Sequence, residues 1–215
     1  MSAKAEAAET AGDRWRGSEV ERAGGAGLEF AWLLIIAGML GTIASLMLNI
    51  EYIHTLRDPD YVPACDLNPL LSCGNFLGSP QAQAFGFPNV IIGIAAFPVL
   101  VTTGVVFLAG ARLPRWYWRG LLVGTLFGIA FVLWLQYQAM FILQAICPWC
   151  ALVWAVMIPI FVHTATRATQ NGALPASGGL RALLVQYRWV WTGLWYLVLI
   201  AVALIVLADG WLSLL

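Results

Sequence analysis

Charge is what this chain has least of. Only 10% of its 215 residues are Asp, Glu, Lys or Arg, where soluble domains carry roughly 25%. No acidic residue stands between Leu67 and Ala208. Ion pathways usually carry an ionisable group inside their spans, so that stretch argues against an ion transporter. Eleven basic residues balance eleven acidic ones. The zero net charge implies no bulk electrostatic partner, and the lack of a basic stripe excludes a nucleic-acid footprint. Ala151, not His, follows Cys150, which excludes a c-type haem attachment. No flavin motif is present. The first apolar run exceeds the roughly 7–15 residues of a signal-peptide core, so the amino terminus is expected to be retained.

What is present is apolar. Hydrophobic residues make up 61% of the chain, and its mean hydropathy is +0.82. A helix crosses the hydrocarbon core with about 20 such residues. Five runs read as spans: 28–50, 88 to about 110, 120–144, a shorter one from 150 to about 162, and 189 to about 208. The fold expected is all-α and integral to the membrane, a four-helix transmembrane bundle over 28–163 plus a fifth transmembrane helix over 189–215. Residues 1–27 read as a disordered tail and 164–188 as a polar linker. The loop 51–87 is rich in turn formers such as Asp58, Pro63, Asn68 and Pro69. Its apolar middle, Leu70 to Leu77, is expected to form a short interfacial helix capping the bundle. Gly38, Gly41 and Ser45 in the first span, and Gly120, Gly124 and Gly128 in the third, form small-residue faces for close helix packing. Trp116, Tyr117, Trp118, Trp189 and Trp191 read as an aromatic belt.

Basic residues set the orientation. Lys4, Arg14, Arg16, Arg22, Arg112, Arg115, Arg119, Arg167, Arg181 and Arg188 fall on one side of the five spans, and Arg57 alone falls on the other. Positive residues stay inside. The amino terminus and the linker are therefore expected in the cytoplasm, and the loop 51–87 and the carboxyl terminus outside.

That places all four cysteines at the outer face. Cys147-Pro148-Trp149-Cys150 is a C-x-x-C pair between two spans, and Cys65 and Cys73 lie in the preceding outer loop. The C-x-x-C spacing lowers the pKa of the attacking thiol, and only a thiolate attacks a disulfide. Three connectivities are open to four cysteines. A zinc site is the structural alternative, although the Cys65–Cys73 gap fits a zinc knuckle poorly, and no metal is expected. A mobile dithiol beside a membrane-embedded dithiol reads as a relay. With no flavin or haem motif, a lipid-soluble quinone is the acceptor suited to that place.

The stretch Cys73-Gly74-Asn75-Phe76-Leu77-Gly78-Ser79-Pro80, followed by Phe85-Gly86-Phe87-Pro88-Asn89-Val90, resembles the vitamin K epoxide reductase family in its bacterial, disulfide-forming version. Both cysteine spacings look like that family's two redox pairs. The resemblance implies a bacterial inner-membrane enzyme that re-oxidises a secreted thioredoxin-like (DsbA-like) protein with a membrane quinone, menaquinone or ubiquinone. It implies that Cys65 meets the partner, Cys73 passes electrons to Cys147, and Cys150 faces the quinone. It matches Asn89 to a residue that hydrogen-bonds a quinone carbonyl, and Trp154 to a position where some relatives carry a quinone-contacting tyrosine. The rivals are a reductase of quinone or vitamin K epoxide using the same cysteines, and a non-catalytic membrane protein stapled by disulfides. Asn89 also reads as a helix-start residue bonded to nearby backbone. Gln136 and Gln144 are expected on one helix face as interhelical glue, His54 as a surface histidine, and His163 at the cytoplasmic end without a role.

Overall fold

The computed structural model describes residues 17–58 and 60–208. The rest of the expected amino-terminal tail and the last residues of the chain lie outside the described residues. Five helices are long and apolar enough to cross a membrane, and no strand is present among the described residues. The protein is thus an all-α membrane protein.

Residues 17–27 depart from the disordered tail that composition predicts. Ser18 caps a short helix, α1 (Glu19–Arg22), through a capping box with Glu21. The Gly24 carbonyl accepts from the Trp118 indole N–H at 3.0 Å and the Leu113 amide at 2.9 Å. Glu21 forms an ion pair with Arg167.

The first span, α2 (Leu28–Arg57), runs two turns beyond its expected end at Ile50. The polar residues Glu51 and His54 do not stop it, because the following loop folds back on them: Glu51 accepts hydrogen bonds from Tyr61 and Ala64, and His54 stacks on Tyr61. A four-residue helix, α3 (Gly74–Leu77), and a 3-10 turn at Pro80–Gln83 follow in the loop. The helix expected within Leu70 to Leu77 is therefore confined to its second half. The second span, α4 (Val90–Leu108), continues through Pro98. The third, α5 (Arg115–Tyr137), starts earlier than Gly120 and passes into a π-helical turn at Gln138–Leu143. That turn ends on Gln144 in the left-handed region, at φ 49°. The π turn and this reversal break the face that Gln136 and Gln144 are expected to share. Gln136 is buried and Gln144 exposed.

The fourth span, α6 (Pro148–Gln170), absorbs the first part of the expected linker, and α7 (Gly178–Gln186), capped by Ser177, absorbs most of the rest. The fifth span is α8 (Arg188–Val206).

The tightest helix pair is α2 with α4. A Cβ at Gly38 would meet Val101 at 2.8 Å, and one at Gly104 would meet the Ala31 carbonyl oxygen at 2.7 Å. This is close packing through small residues. In α5, Gly128 packs as expected, since a Cβ there would meet the Met157 methyl at 2.7 Å, but its two companions behave otherwise. A Cβ at Gly120 or Gly124 would meet nothing within 4 Å, so these two face open space rather than another helix. Trp118 also departs from expectation. It is fully buried, its ring stacked on Phe30 and Phe107 with centroids 5.7 and 5.2 Å away, so it belongs to the core and not to an interfacial belt.

Among the described residues, every arginine but Arg57 lies toward one end. Arg167 pairs with Glu21, Arg188 with Glu29 at 2.8 Å, and Arg119 donates to the Ala173 carbonyl at 3.2 Å. The same corner holds His163, buried against Trp189 with ring centroids 4.5 Å apart. The four cysteines lie at the opposite end of the bundle.

Candidate functional site: two cysteine pairs and a membrane cavity

The loop between α2 and α4 folds back over the end of α2. The Glu51 carboxylate accepts from the Tyr61 hydroxyl at 2.9 Å and the Ala64 amide at 3.3 Å. The Tyr61 hydroxyl bond to Glu51 holds the Tyr61 pKa above its usual value. His54 stacks on the Tyr61 ring, centroids 5.1 Å apart, which gives this histidine a place in the loop's packing. Asn68 forms the turn inside the loop, its side-chain oxygen accepting from the amides of Leu70 and Leu71 at 3.0 and 2.8 Å.

Cys65 and Cys73 are joined by a disulfide, with their Cα atoms 5.7 Å apart. The bond removes two of the four thiolates that a zinc site would need. Immediately before Cys73 the chain makes a single β-bridge, Leu71 with Ile146. Its bonds are Ile146 N–H to the Leu70 carbonyl at 2.8 Å and Ser72 N–H to the Ile146 carbonyl at 3.2 Å. The bridge sets Cys73 beside Cys147. Their sulfurs are 3.2 Å apart and both residues are buried.

Cys147 and Cys150 are free thiols. Cys147 is the N-cap of α6, and Pro148 takes the first helical position, where its missing N–H is not needed. The Cys147 sulfur accepts from the Cys150 amide at 3.5 Å. The Cys147 thiol is held below the usual cysteine value, first by the hydrogen bond from the Cys150 side chain. Burial opposes this, the Cys150 and Trp149 amides add to it, and the Asp66 charge works against it. Cys147 is therefore held more acidic than an ordinary cysteine.

One turn into α6, Cys150 forms part of the wall of a cavity of about 500 Å³, within the roughly 300–1,000 Å³ of small-molecule sites. Asn89, Tyr52, Phe76 and Leu77 line it around Cys150. Trp154, one turn further along α6, lines it as well. The cavity continues past Gly128, Gly124 and Gly120 to Trp116 and Tyr117. Val99 of α4 and Phe127 of α5 line it and are half exposed, so it opens sideways between those helices. Thr103 and Tyr117 bridge the two helices by a hydroxyl–hydroxyl bond of 2.5 Å at the arginine end. This long apolar space with a polar rim beside one thiol fits a prenylated quinone.

Asn89 and Trp154 thus reach the same cavity as Cys150. The Asn89 amide is also engaged with the loop, donating to the Gln81 carbonyl at 2.6 Å and accepting from the Ala84 amide at 3.1 Å. These bonds accord with the helix-start reading of Asn89, which fastens the loop 81–89 while it lines the cavity. Trp154 is buried, 3% exposed. Tyr52 is a cavity residue that sequence reasoning passed over. Its hydroxyl accepts from Gln83 at 3.0 Å and keeps its own hydrogen to donate. The signal was present in the stripe Ser45, Leu48, Tyr52, which follows helical spacing and lines the cavity throughout.

Residues 32–165 match the vitamin K epoxide reductase family, more than half of the chain. That stretch contains both cysteine pairs, the β-bridge between them and the cavity. Members of the family are membrane oxidoreductases that exchange thiols for disulfides and use quinones as electron carriers. The disulfide, the adjoining thiol pair and the span-deep cavity are therefore those of a protein that belongs to the vitamin K epoxide reductase family.

Proposed function

We propose that this protein carries electrons from a secreted thioredoxin-like dithiol protein, of the DsbA-like kind, through Cys65–Cys73 and Cys147–Cys150 to a membrane quinone, so that exported proteins acquire disulfides. The observation that carries this reading is the 3.2 Å separation of the Cys73 and Cys147 sulfurs while Cys73 is bonded to Cys65.

A partner thiolate attacks the Cys65 sulfur and Cys73 leaves as thiolate. The partner's second thiol then resolves the mixed disulfide, leaving the partner oxidised and Cys65 and Cys73 reduced. The Cys73 thiolate attacks Cys147 of the Cys147–Cys150 disulfide and expels the Cys150 thiolate. Cys65 attacks Cys73, the loop disulfide re-forms, and Cys147 is released. Two electrons now rest on Cys147 and Cys150. This end state is the one the structure holds: loop pair oxidised, buried pair reduced. The quinone supplies the two-electron sink. Cys150 borders the cavity that receives it, Asn89 and Tyr52 offer donors toward its carbonyl oxygens, and Trp154 forms its wall. The distribution of arginines supports an orientation with the cysteine end outside the cytoplasm.

Serine variants test the route. Cys147→Ser or Cys150→Ser abolishes quinone reduction by any dithiol. Cys65→Ser blocks reduction driven by the protein dithiol and spares reduction driven by a small one. Equal loss with both donors would remove the loop pair from the pathway.

A further inference from the structure

The loop disulfide has a non-covalent twin. Asp66 follows Cys65, and Gly74 follows Cys73. The Asp66 carboxylate accepts from the Gly74 amide at 2.8 Å. The hydrogen bond therefore joins the same two limbs of the loop as the disulfide, one residue further along each. It leaves no room for a side chain at position 74, where a Cβ would lie 2.6 Å from the second carboxylate oxygen.

The two limbs are otherwise held unequally. The Cys73 limb is fixed to the Cys147 segment by the bridge of Leu71 with Ile146. The Cys65 limb has no part in that bridge. It is held by the Ala64 amide on Glu51, by Asp66, and by the Leu67 and Asn68 amides on the Leu71 carbonyl at 2.9 and 3.3 Å, so that Asp66 is the tie nearest the two sulfurs. In the proposed relay the Cys65–Cys73 bond opens once per turnover, and Cys65 must then find Cys73 again.

We propose that Asp66 is a positioning residue that keeps the Cys65 limb closed on the Cys73 limb while the loop pair is reduced, so that Cys65 stands ready to resolve the Cys73–Cys147 mixed disulfide. This rests on the relay proposed above. In the step that Asp66 serves, the Cys65 thiolate, its proton given to water, attacks the Cys73 sulfur. The Cys65–Cys73 bond forms, the Cys73–Cys147 bond breaks, and Cys147 leaves as thiolate. Asp66 itself takes no proton and touches no reacting sulfur.

The full-length protein is reduced with dithiothreitol, freed of it, and re-oxidised with a short-chain quinone. It is then quenched with N-ethylmaleimide at intervals, and its disulfide-linked peptides are counted by mass spectrometry. Wild type re-forms Cys65–Cys73 with little Cys73–Cys147 at any time. Asp66→Ala accumulates Cys73–Cys147 about tenfold over wild type, the scale of one lost charge-assisted hydrogen bond. Turnover with a protein dithiol falls about as much in kcat, and KM and turnover with dithiothreitol stay within about twofold. Asp66→Asn keeps an oxygen for the Gly74 amide and restores both measures. If Asp66→Ala yields no folded protein, Asp66→Ser, too short to span the gap, takes its place with the same expectation. Wild-type peptide kinetics from Asp66→Ala, or an Asp66→Asn as slow as the alanine, overturns the inference. Failure of wild type to form Cys65–Cys73 upon quinone addition overturns the relay itself, a distinct result.

Discussion

Cys73 touches two sulfurs at once, bonded to Cys65 and 3.2 Å from Cys147. The bridge of Leu71 with Ile146 holds the two segments in register. Removing Cys65 leaves Cys73 without a resolving partner. In Cys65→Ser the dominant linked peptide is expected to be Cys73–Cys147, detected by mass spectrometry without reduction. A predominance of Cys147–Cys150 with Cys73 free would contradict the route.

The Cys147 thiol owes its lowered pKa first to the hydrogen bond from Cys150. A lowered pKa means more thiolate at a given pH on the acid side, and alkylation follows the thiolate. In the wild type the alkylation rate of Cys147 therefore rises at a lower pH than for an ordinary cysteine. Cys150→Ala removes the main cause, and the midpoint moves upward. An unmoved midpoint, read with a small membrane-permeant alkylator, would show that Cys150 does not set it.

Two sets of glycines respond in opposite directions. Gly124→Ala adds a methyl into open space and removes glycine's backbone entropy from a helix, stabilising the fold by about 0.5–1 kcal/mol. Gly104→Ala drives a methyl against the Ala31 carbonyl and costs about 1–3 kcal/mol through overpacking. Thermal unfolding in detergent separates them. Gly124→Leu projects into the cavity and weakens quinone turnover, read as a rise in KM, with little change in melting temperature.

Among the described residues, two ion pairs at the arginine end differ in exposure. The Arg188 and Glu29 side chains are 28% and 44% exposed, and those of Arg167 and Glu21 are 14% each. Arg188→Ala is expected to cost about 0.5 kcal/mol, since solvent screens such pairs. Arg167→Ala leaves Glu21 partly buried without its cation and costs about 1.5–3 kcal/mol. Equal melting temperatures for the two variants would refute the distinction.

The five spans and the gathering of the arginines were legible because both are written in long-range composition. Hydropathy reports burial in lipid over some 20 residues at a time, and it needs no knowledge of neighbours. Cys147 and Cys150 were legible as a pair from spacing alone. What composition hides is any contact between segments distant in sequence. Ser18 and Glu21 spell a capping box, yet only contacts far along the chain, Arg167 on Glu21 and Leu113 and Trp118 on the Gly24 carbonyl, explain why residues 17–27 are ordered. Gly120, Gly124 and Gly128 spell a packing face, yet only Gly128 packs closely, and the lack of side chains at Gly120 and Gly124 serves a cavity. The pattern records small volume and not what fills it. Asp66 gave no signal at all, since its meaning lies in a backbone amide eight positions away.

The surplus length of α2 has a consequence for reach. Its 30 residues extend about 45 Å at 1.5 Å per residue, against a hydrocarbon layer of about 30 Å. Glu51 and Tyr52, past the expected span, are the posts to which Tyr61, Ala64 and Gln83 are fastened. The helix thus serves as a mast that lifts the disulfide loop beyond its own apolar segment. In the relay proposed above, a water-borne dithiol protein would meet the loop without shedding hydration or pressing into lipid, while Cys150, on a helix packed beside the mast, would serve a quinone that never leaves the oil.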